Sequence, residues 1–306
     1  MAQYLITGGC GFIGSHLADL LLSQGHRVRV LDDLSTGKRE NLPAEAELLV
    51  GDVADMVAVN QALSGVDGCF HLAAVASVER CNRDWLGTHR TNLTGTITIL
   101  DGARPTASRA AIPVVYASSA AVYGEQPPQP QAESLIPRPL SAYGADKLGC
   151  ELHARVATLV HGVPAIGMRF FNVYGPRQDP KSPYSGVISI FCERLRNGLP
   201  ITVHGDGEQV RDFVYVGDVV KALDQAMQAH ARLPAGSVFN VCTGRTTSIL
   251  TLATTIANLL ESQPRLVHGP ARAGDIRVSI GDPQHTASTL GFEAATLLAE
   301  GLKNTL

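Results

Sequence analysis

YLITGGCGFIG (4–14) joins an apolar run, YLIT (4–7), to a glycine-rich turn and then to a helical stretch near 12–24. Gly8, Gly11 and Gly14 stand in the spacing G-x-x-G-x-x-G, after a strand signal and at the mouth of a helix, the context that gives such a motif meaning. Without side chains the backbone turns tightly and comes close to a pyrophosphate. The unpaired N–H groups and the dipole at the helix N-terminus attract its negative charge. The stretch predicts a dinucleotide site in the first turn of a βαβ unit.

The next strand signal, RVRVL (27–31), runs into Asp32, eighteen residues after Gly14. That offset is close to the one at which an acidic side chain accepts hydrogen bonds from the adenosine ribose. Its charge repels a 2′-phosphate, so NAD is expected over NADP. Lys38 and Arg39 pull weakly the other way and are read as solvated surface. Asp52, just after ELLV (47–50), is placed to reach the adenine edge, the competing role being a turn or helix cap.

Further along, GCFHLA (68–73), PVVYAS (113–118) and AIGMRF (165–170) alternate with helical stretches at 85–104 and 141–161. This rhythm indicates an α/β chain with a Rossmann-type, doubly wound parallel sheet. The cofactor domain is placed at 1–172. The Pro- and Gly-rich stretch 172–186 has the character of a loop folding over a ligand. A smaller α/β substrate-binding lobe, 173–306, holds helices at 187–197, 217–230 and 248–260 and strands at 201–203, 238–241 and 265–267. QPPQPQ (126–131) reads as a surface loop.

The 306 residues are 45% hydrophobic and 17% charged, with a formal net charge of −3. No basic excess suits nucleic acid. No apolar run reaches the roughly 18 to 20 residues that span a bilayer, and no signal segment precedes the first strand, so a cytoplasmic address is expected. The six cysteines are scattered without a metal-ligand pattern and read as reduced thiols. No metal is expected; His71 reads as a packed or cofactor-adjacent histidine.

Tyr143 and Lys147, in SAYGADK, sit at i and i+4, one turn apart on one helix face. A free tyrosine has a pKa of about 10, so a base working at neutral pH needs nearby positive charge, which a lysine ammonium and a nicotinamide ring supply. Ser119, ending the strand signal YASS (116–119), is placed to hold a reacting hydroxyl. The three form the candidate catalytic set.

Taken in order, TGGCGFIG (7–14), LDDLSTG (31–37), SSAAVYG (118–124), YGADK (143–147), RFFNVYGPRQ (169–178) and VRDFVYVGDV (210–219) resemble the extended short-chain dehydrogenase/reductases, specifically the UDP-hexose 4-epimerase branch. The likeness covers essentially the whole chain. It implies that Tyr143 takes the proton from a sugar 4-hydroxyl while the C4 hydride passes to NAD, and that the 4-keto sugar turns and receives both back on the opposite face. Cofactor positions implied by it are Gly8, Gly11, Phe12, Ile13, Gly14, Asp32, Asp33, Asp52, Val53, Leu72, Ala73, Ala74, Asn92, Tyr143, Lys147 and Phe170. On the substrate side it implies Asn172, Arg211 and Arg272 at the diphosphate, where guanidinium forks suit phosphate oxygens, and Asp275 on the uridine ribose. Val187 and Ile188 fall where backbone wraps the substrate, with side chains equally suited to a core, and Ser77, Ser118 and Ser119 line the sugar site.

Two departures narrow the expected substrate. Dehydratase and decarboxylase relatives carry an acid beside the catalytic serine or threonine, where this chain has Ala120 and Ala121. Ser279 stands where glucose-only epimerases have a bulky tyrosine, which leaves room for an N-acetyl group. Interconversion of UDP-GlcNAc and UDP-GalNAc is therefore favoured, with UDP-glucose or UDP-glucuronate epimerases, redox-active cousins and a non-catalytic NAD-sensing module as the alternatives. Apolar faces on the helices at 85–104 and 141–161 lead to the expectation of a homodimer.

Overall fold

The structure, a computed structural model, describes residues 1–180, 186–271 and 276–306. The first apolar run becomes β1 (Gln3–Thr7), whose side chains alternate between two cores, Ile6 facing one and Leu5 the other. The division repeats at Val30 and Leu31 of β2 (Arg27–Asp32). After β3 (Glu47–Val50) it recurs at Phe70 and Cys69 of β4 (Gly68–His71), and at Val115 and Val114 of β5 (Val114–Ser119). β6 (Ala165–Phe170) is buried throughout. A parallel sheet must be covered on both faces, which is why its strands read as unbroken apolar runs.

One face is covered by α1 (Phe12–Ser23). The other is covered by α2 (Met56–Leu63) and, after α3 (Val78–Arg83) and α4 (Trp85–His89), by α5 (Gly95–Gly102) and α6 (Ala142–His161). The expected helix at 85–104 is continuous from α4 into α5 but carries one π-helical turn, Arg90–Thr94. Such turns commonly mark functional positions. This one contains Asn92, fully buried, whose Oδ1 accepts from the N–H of Val75 (2.8 Å) while its Nδ2 donates to the carbonyl of Val75 (3.3 Å).

Beyond position 172 the chain forms small sheets. β7 (Asn172–Tyr174) lies parallel to β10 (Phe213–Tyr215), and β8 (Ile201–His204) parallel to β13 (Leu266–Gly269). β9 (Val210–Arg211) sits between β12 (Thr247–Ser248) and β14 (Val278–Ser279). α7 (Val187–Arg196), α9 (Ile249–Leu259) and α11 (Leu298–Thr305) close a separate core around Phe191, Leu252 and Leu302.

Two elements expected in the smaller lobe belong to the large sheet. β11 (Val238–Val241) pairs parallel to β6 as the seventh strand, giving the order β11-β6-β5-β4-β1-β2-β3. α8 (Val216–Ala229) packs beside α1 through Val219, Leu223 and Met227, and α10 (Gln284–Leu290) adds Leu290 to the same core. Strand and helix signals are local, whereas membership of a sheet is decided by which bare face remains, and α1 alone leaves part of one uncovered. Among the described residues, no helix is long and apolar enough to cross a membrane.

A buried polar chain ties this seventh strand to α6. Glu151 of α6 accepts from Ser118 Oγ (2.6 Å) and is gripped by Arg169 of β6 through Nε (2.8 Å) and Nη2 (2.7 Å). Arg169 Nη1 donates to the hydroxyl of Tyr123 (2.9 Å), which donates to Asn240 of β11 (2.7 Å). Burial works against the Arg169 charge, but the Glu151 carboxylate outweighs it and raises the guanidinium above its ordinary pKa. Breaking a buried pair leaves an uncompensated charge, a loss of roughly 3–5 kcal/mol, while replacing both members with apolar groups is close to neutral. Urea titration should therefore show Arg169→Met destabilised by about that amount and Arg169→Met/Glu151→Leu much less; equal losses would contradict the pair's electrostatic role.

Candidate active site

Gly8 has a left-handed φ of +70°, and a Cβ there would lie 2.8 Å from the backbone of Ala73. A Cβ at Gly14 would drive into the carbonyl oxygen of Gly8. The turn is thus packed against both α1 and the segment after β4, with no volume for side chains. Gly11 is the N-cap of α1 and offers no capping side chain, so the first-turn N–H groups face the adjoining cleft of about 530 Å³. A backbone cradle free of side chains at a helix N-terminus fits the pyrophosphate of a dinucleotide.

Asp32 ends β2 against this turn. Its Oδ2 accepts from the N–H of Cys10 (2.9 Å) and its Oδ1 from that of Leu34 (2.8 Å). Burial raises its pKa and those two hydrogen bonds oppose the rise. An ionised carboxylate has about four acceptor sites, so it can brace the loop and still receive ribose hydroxyls. Asp33 caps its own turn by accepting from Ser35, through both N–H and hydroxyl. These two acids line the cleft together with Phe12, Ile13, Val53, Leu72, Ala73, Ala74 and Phe170.

At the other end, Ser141 Oγ accepts from the N–H of Gly144 and starts α6. A Cβ at Gly144 would lie 2.6 Å from the carbonyl of Ala121, so the first turn of α6 sits directly against the turn that follows Ser119. Lys147 is 2% exposed and its Nζ donates to the carbonyl of Ala117 (2.8 Å), 5.9 Å from the centre of the Tyr143 ring. Ser119 Oγ accepts from the N–H of Ala121 (3.1 Å), which leaves its own proton to donate. Tyr143, Lys147, Ser118 and Ser119 line the same cleft as the glycine loop. Ser118 lines it with its hydroxyl turned to Glu151 rather than outward.

Other expected positions lie elsewhere. Asn92 stands behind the cleft wall and fixes Val75, which lines it. Asp52 accepts from the N–H of Ala54 and pairs with Arg90 (3.1 Å), while its neighbours Gly51 and Val53 form the wall. Ser77 caps α3 by accepting from the N–H of Arg80 (3.1 Å). Asn172 lines the cleft and donates to the carbonyl of Asp212 (3.2 Å). Ile188 is in the separate core around Phe191 and Leu252, and Val187 packs beside it, off the cleft wall. Arg211 and Ser279 are register partners on β9 and β14, also off that wall. Arg272 and Asp275 lie outside the described residues.

Of three further features, Asp212 has no clear signal in the sequence, whereas His71 reads as packed or cofactor-adjacent and Arg177, Gln178 and Asp179 fall in the stretch that reads as folding over a ligand. His71 is wedged between two threonines, Nδ1 2.7 Å from Thr7 Oγ1 and Nε2 3.0 Å from Thr96 Oγ1, so both ring nitrogens are engaged in packing. Asp212 is fully buried beside Arg211; it accepts from the N–H and hydroxyl of Thr243 and from the N–H groups of Gly244 and Gly281, joining the loops at 243–244 and 281 to its own segment. Arg177, Gln178 and Asp179, following β7, also line the cleft.

With this geometry in view, residues 4–242 match the family described as the NAD dependent epimerase/dehydratase family. A UDP-glucose 4-epimerase of Mycolicibacterium smegmatis is 36% identical, across 99% of this chain and 96% of its own. The UDP-glucose 4-epimerase of Thermotoga maritima, solved with UDP-glucose, superposes with a TM-score of 0.93 at 37% identity, over 99% of this chain and 97% of the other. The UDP-N-acetylglucosamine 4-epimerase of Methanobrevibacter ruminantium, solved with UDP-N-acetylmuramic acid, gives 0.93 at 34% identity, over 99% and 96%.

His71 generates a test of the site's electrostatics. Burial, and next the charge of Lys147, lower its pKa to about 3 from an ordinary 6.5. The folded protein thus holds it neutral while the unfolded chain protonates below 6.5, so stability present above pH 6.5 is lost as pH falls toward 3, in total on the order of 5 kcal/mol. Denaturation midpoints measured from pH 7 to 4 should fall less steeply for His71→Gln than for the parent; parallel slopes would refute the buried neutral histidine.

Proposed function

We propose that this chain, which belongs to the NAD-dependent epimerase/dehydratase family, is a UDP-sugar 4-epimerase that prefers N-acetylhexosamines and interconverts UDP-GlcNAc and UDP-GalNAc. The observation that carries the reaction class is the convergence of Tyr143, Lys147 and Ser119 on the cleft that begins at the glycine loop. Bound NAD supplies a hydride acceptor for the sugar carbon and a donor for its return. Tyr143 takes the proton of the 4-hydroxyl and gives it back to the epimer. Lys147, buried and fixed on the Ala117 carbonyl, holds its ammonium 5.9 Å from the Tyr143 ring. Ser119 donates to the reacting oxygen.

Ala120 and Ala121 put methyl groups where an elimination or a carboxylate substrate calls for charge, and this favours simple epimerisation. The N-acetyl preference rests on Ser279, a small residue paired in register with Arg211. Its place would be the supply of amino sugars for polysaccharide synthesis. All six cysteines are buried and unbridged, which suits a reducing compartment such as the cytoplasm.

Incubation with UDP-GlcNAc and, separately, UDP-glucose, with products resolved by proton NMR, tests this reading. UDP-GlcNAc should turn over faster, and Tyr143→Phe should reduce either rate by about 10²- to 10⁴-fold while NAD binding persists. Ser279→Tyr should lower UDP-GlcNAc turnover by roughly tenfold or more through overpacking and spare UDP-glucose. Turnover of UDP-glucose alone would sink the substrate assignment, and no epimer from either would sink the reaction class.

The second copy belongs to the same proposal. Trp85 and Leu86 on α4, and Leu152, Val156 and Leu159 on α6, are exposed apolar side chains on neighbouring helices. An isologous contact about a two-fold axis covers both sets at once. Sedimentation should give twice the 32.4 kDa chain mass; a monomer at micromolar concentration would refute the dimer.

A further inference from the structure

Lys38 is a cation beside the ribose end of the cleft with no part in the reaction. It follows the turn after β2, and its N–H donates to the carbonyl of Cys10 (2.9 Å), which ties it to the glycine loop. Its Nζ lies 2.9 Å from Asp179 Oδ2, on the segment that follows β7. Both residues line the cleft. That segment is held on its other side by α1: His16 Nε2 is 3.0 Å from the carbonyl oxygen of Pro176, and Arg177 Nη2 is 2.8 Å from Asp19 Oδ2. The glycine-rich turn connects β1 to α1 and packs on the loop after β2. A segment tied to α1 at 176–177 and to that loop at 179 therefore crosses the dinucleotide cleft.

We propose that the Lys38–Asp179 ion pair is a clasp over the dinucleotide and that Lys38 and Asp179 are cofactor-retaining residues, which set how slowly NAD leaves. A dinucleotide beneath residues 176–179 departs when this segment lifts, and the pair links Asp179 of the segment to the ribose-side wall. The α1 contacts at Pro176 and Arg177 can stay intact and serve as the hinge. Both side chains are partly solvated, 49% and 34% exposed, so the clasp is weakened by salt and opens without disturbing the core. Retention matters because an epimerase returns its hydride to the same substrate within one cycle, so release of the cofactor between the two transfers would strand the oxidised sugar. The pairing also occupies Lys38 with a carboxylate, away from the anion-attracting role its position suggests in the sequence.

The holoprotein is loaded with radiolabelled NAD, chased with excess unlabelled NAD in the absence of sugar, and the retained label followed with time. Asp179→Asn should release label about threefold faster than the parent at low ionic strength, as suits a solvated pair. Asp179→Lys and Lys38→Asp should each be faster still, since each sets like charges against one another. The reciprocal double variant Lys38→Asp/Asp179→Lys should return to within about twofold of the parent, a rescue that a general loss of structure does not give. Raising salt to 0.5 M should accelerate the parent and leave Asp179→Asn nearly unchanged. Equal release by the parent and Asp179→Asn at low salt, or a double variant as fast as the single reversals, overturns the clasp. The readout contains no sugar, so it stands or falls apart from the substrate assignment.

Discussion

Glu151 and Arg169 face each other where neither reaches water, and much of the site's geometry follows from that. A carboxylate at such a depth persists only when its acceptor sites are filled. Here Ser118 and the two arms of Arg169 fill them. Because Glu151 lies one turn after Lys147, the pair fixes the rotation of α6 about its axis. Because Ser118 precedes Ser119, it also fixes the end of β5. Tyr143, Lys147 and Ser119 are therefore aligned by a contact that none of them makes.

The cleft lies where strand ends meet loops from both halves of the chain. Its dinucleotide end is backbone with no side chains, held by Asp32 and the left-handed Gly8. Its other end, where Tyr143, Lys147 and Ser119 lie, is held by the α6 N-terminus and Ala117. Polar groups around it are sorted by charge. His71 is kept neutral between two hydroxyls, Lys147 donates to the carbonyl of Ala117, and Asp32 accepts two N–H bonds while burial presses its pKa upward. In a poorly solvated wall each group needs its own partner, since an unpaired one is costly.

The stretch after β7 extends this division of labour. Asn172 bonds to the carbonyl of Asp212, whose own carboxylate gathers the loops at Thr243, Gly244 and Gly281. The nucleotide side and the small sheet containing Arg211 and Ser279 are thus braced through one buried acid.

What the sequence determined by itself was whatever depends on residues close in the chain. The glycine spacing, Asp32 at the end of the second strand, and Tyr143 and Lys147 one helical turn apart are local patterns, because strand alternation, helix rise and the φ freedom of glycine act over a few residues. The alternation of strands and helices likewise makes the parallel sheet legible. Tertiary structure decided the rest. Residues 238–241 look like any short strand until the exposed edge of β6 is there to receive them, and 216–229 looks like a lobe helix until α1 leaves part of a face bare. Asn92 reads as a cofactor contact until the π-helical turn aims its amide at Val75, and Lys38 reads as surface until Asp179 arrives beside it. Hydrogen bonds and ion pairs between distant segments depend on directions in space, and no spacing along the chain encodes those directions until the sheet and its covering helices have formed.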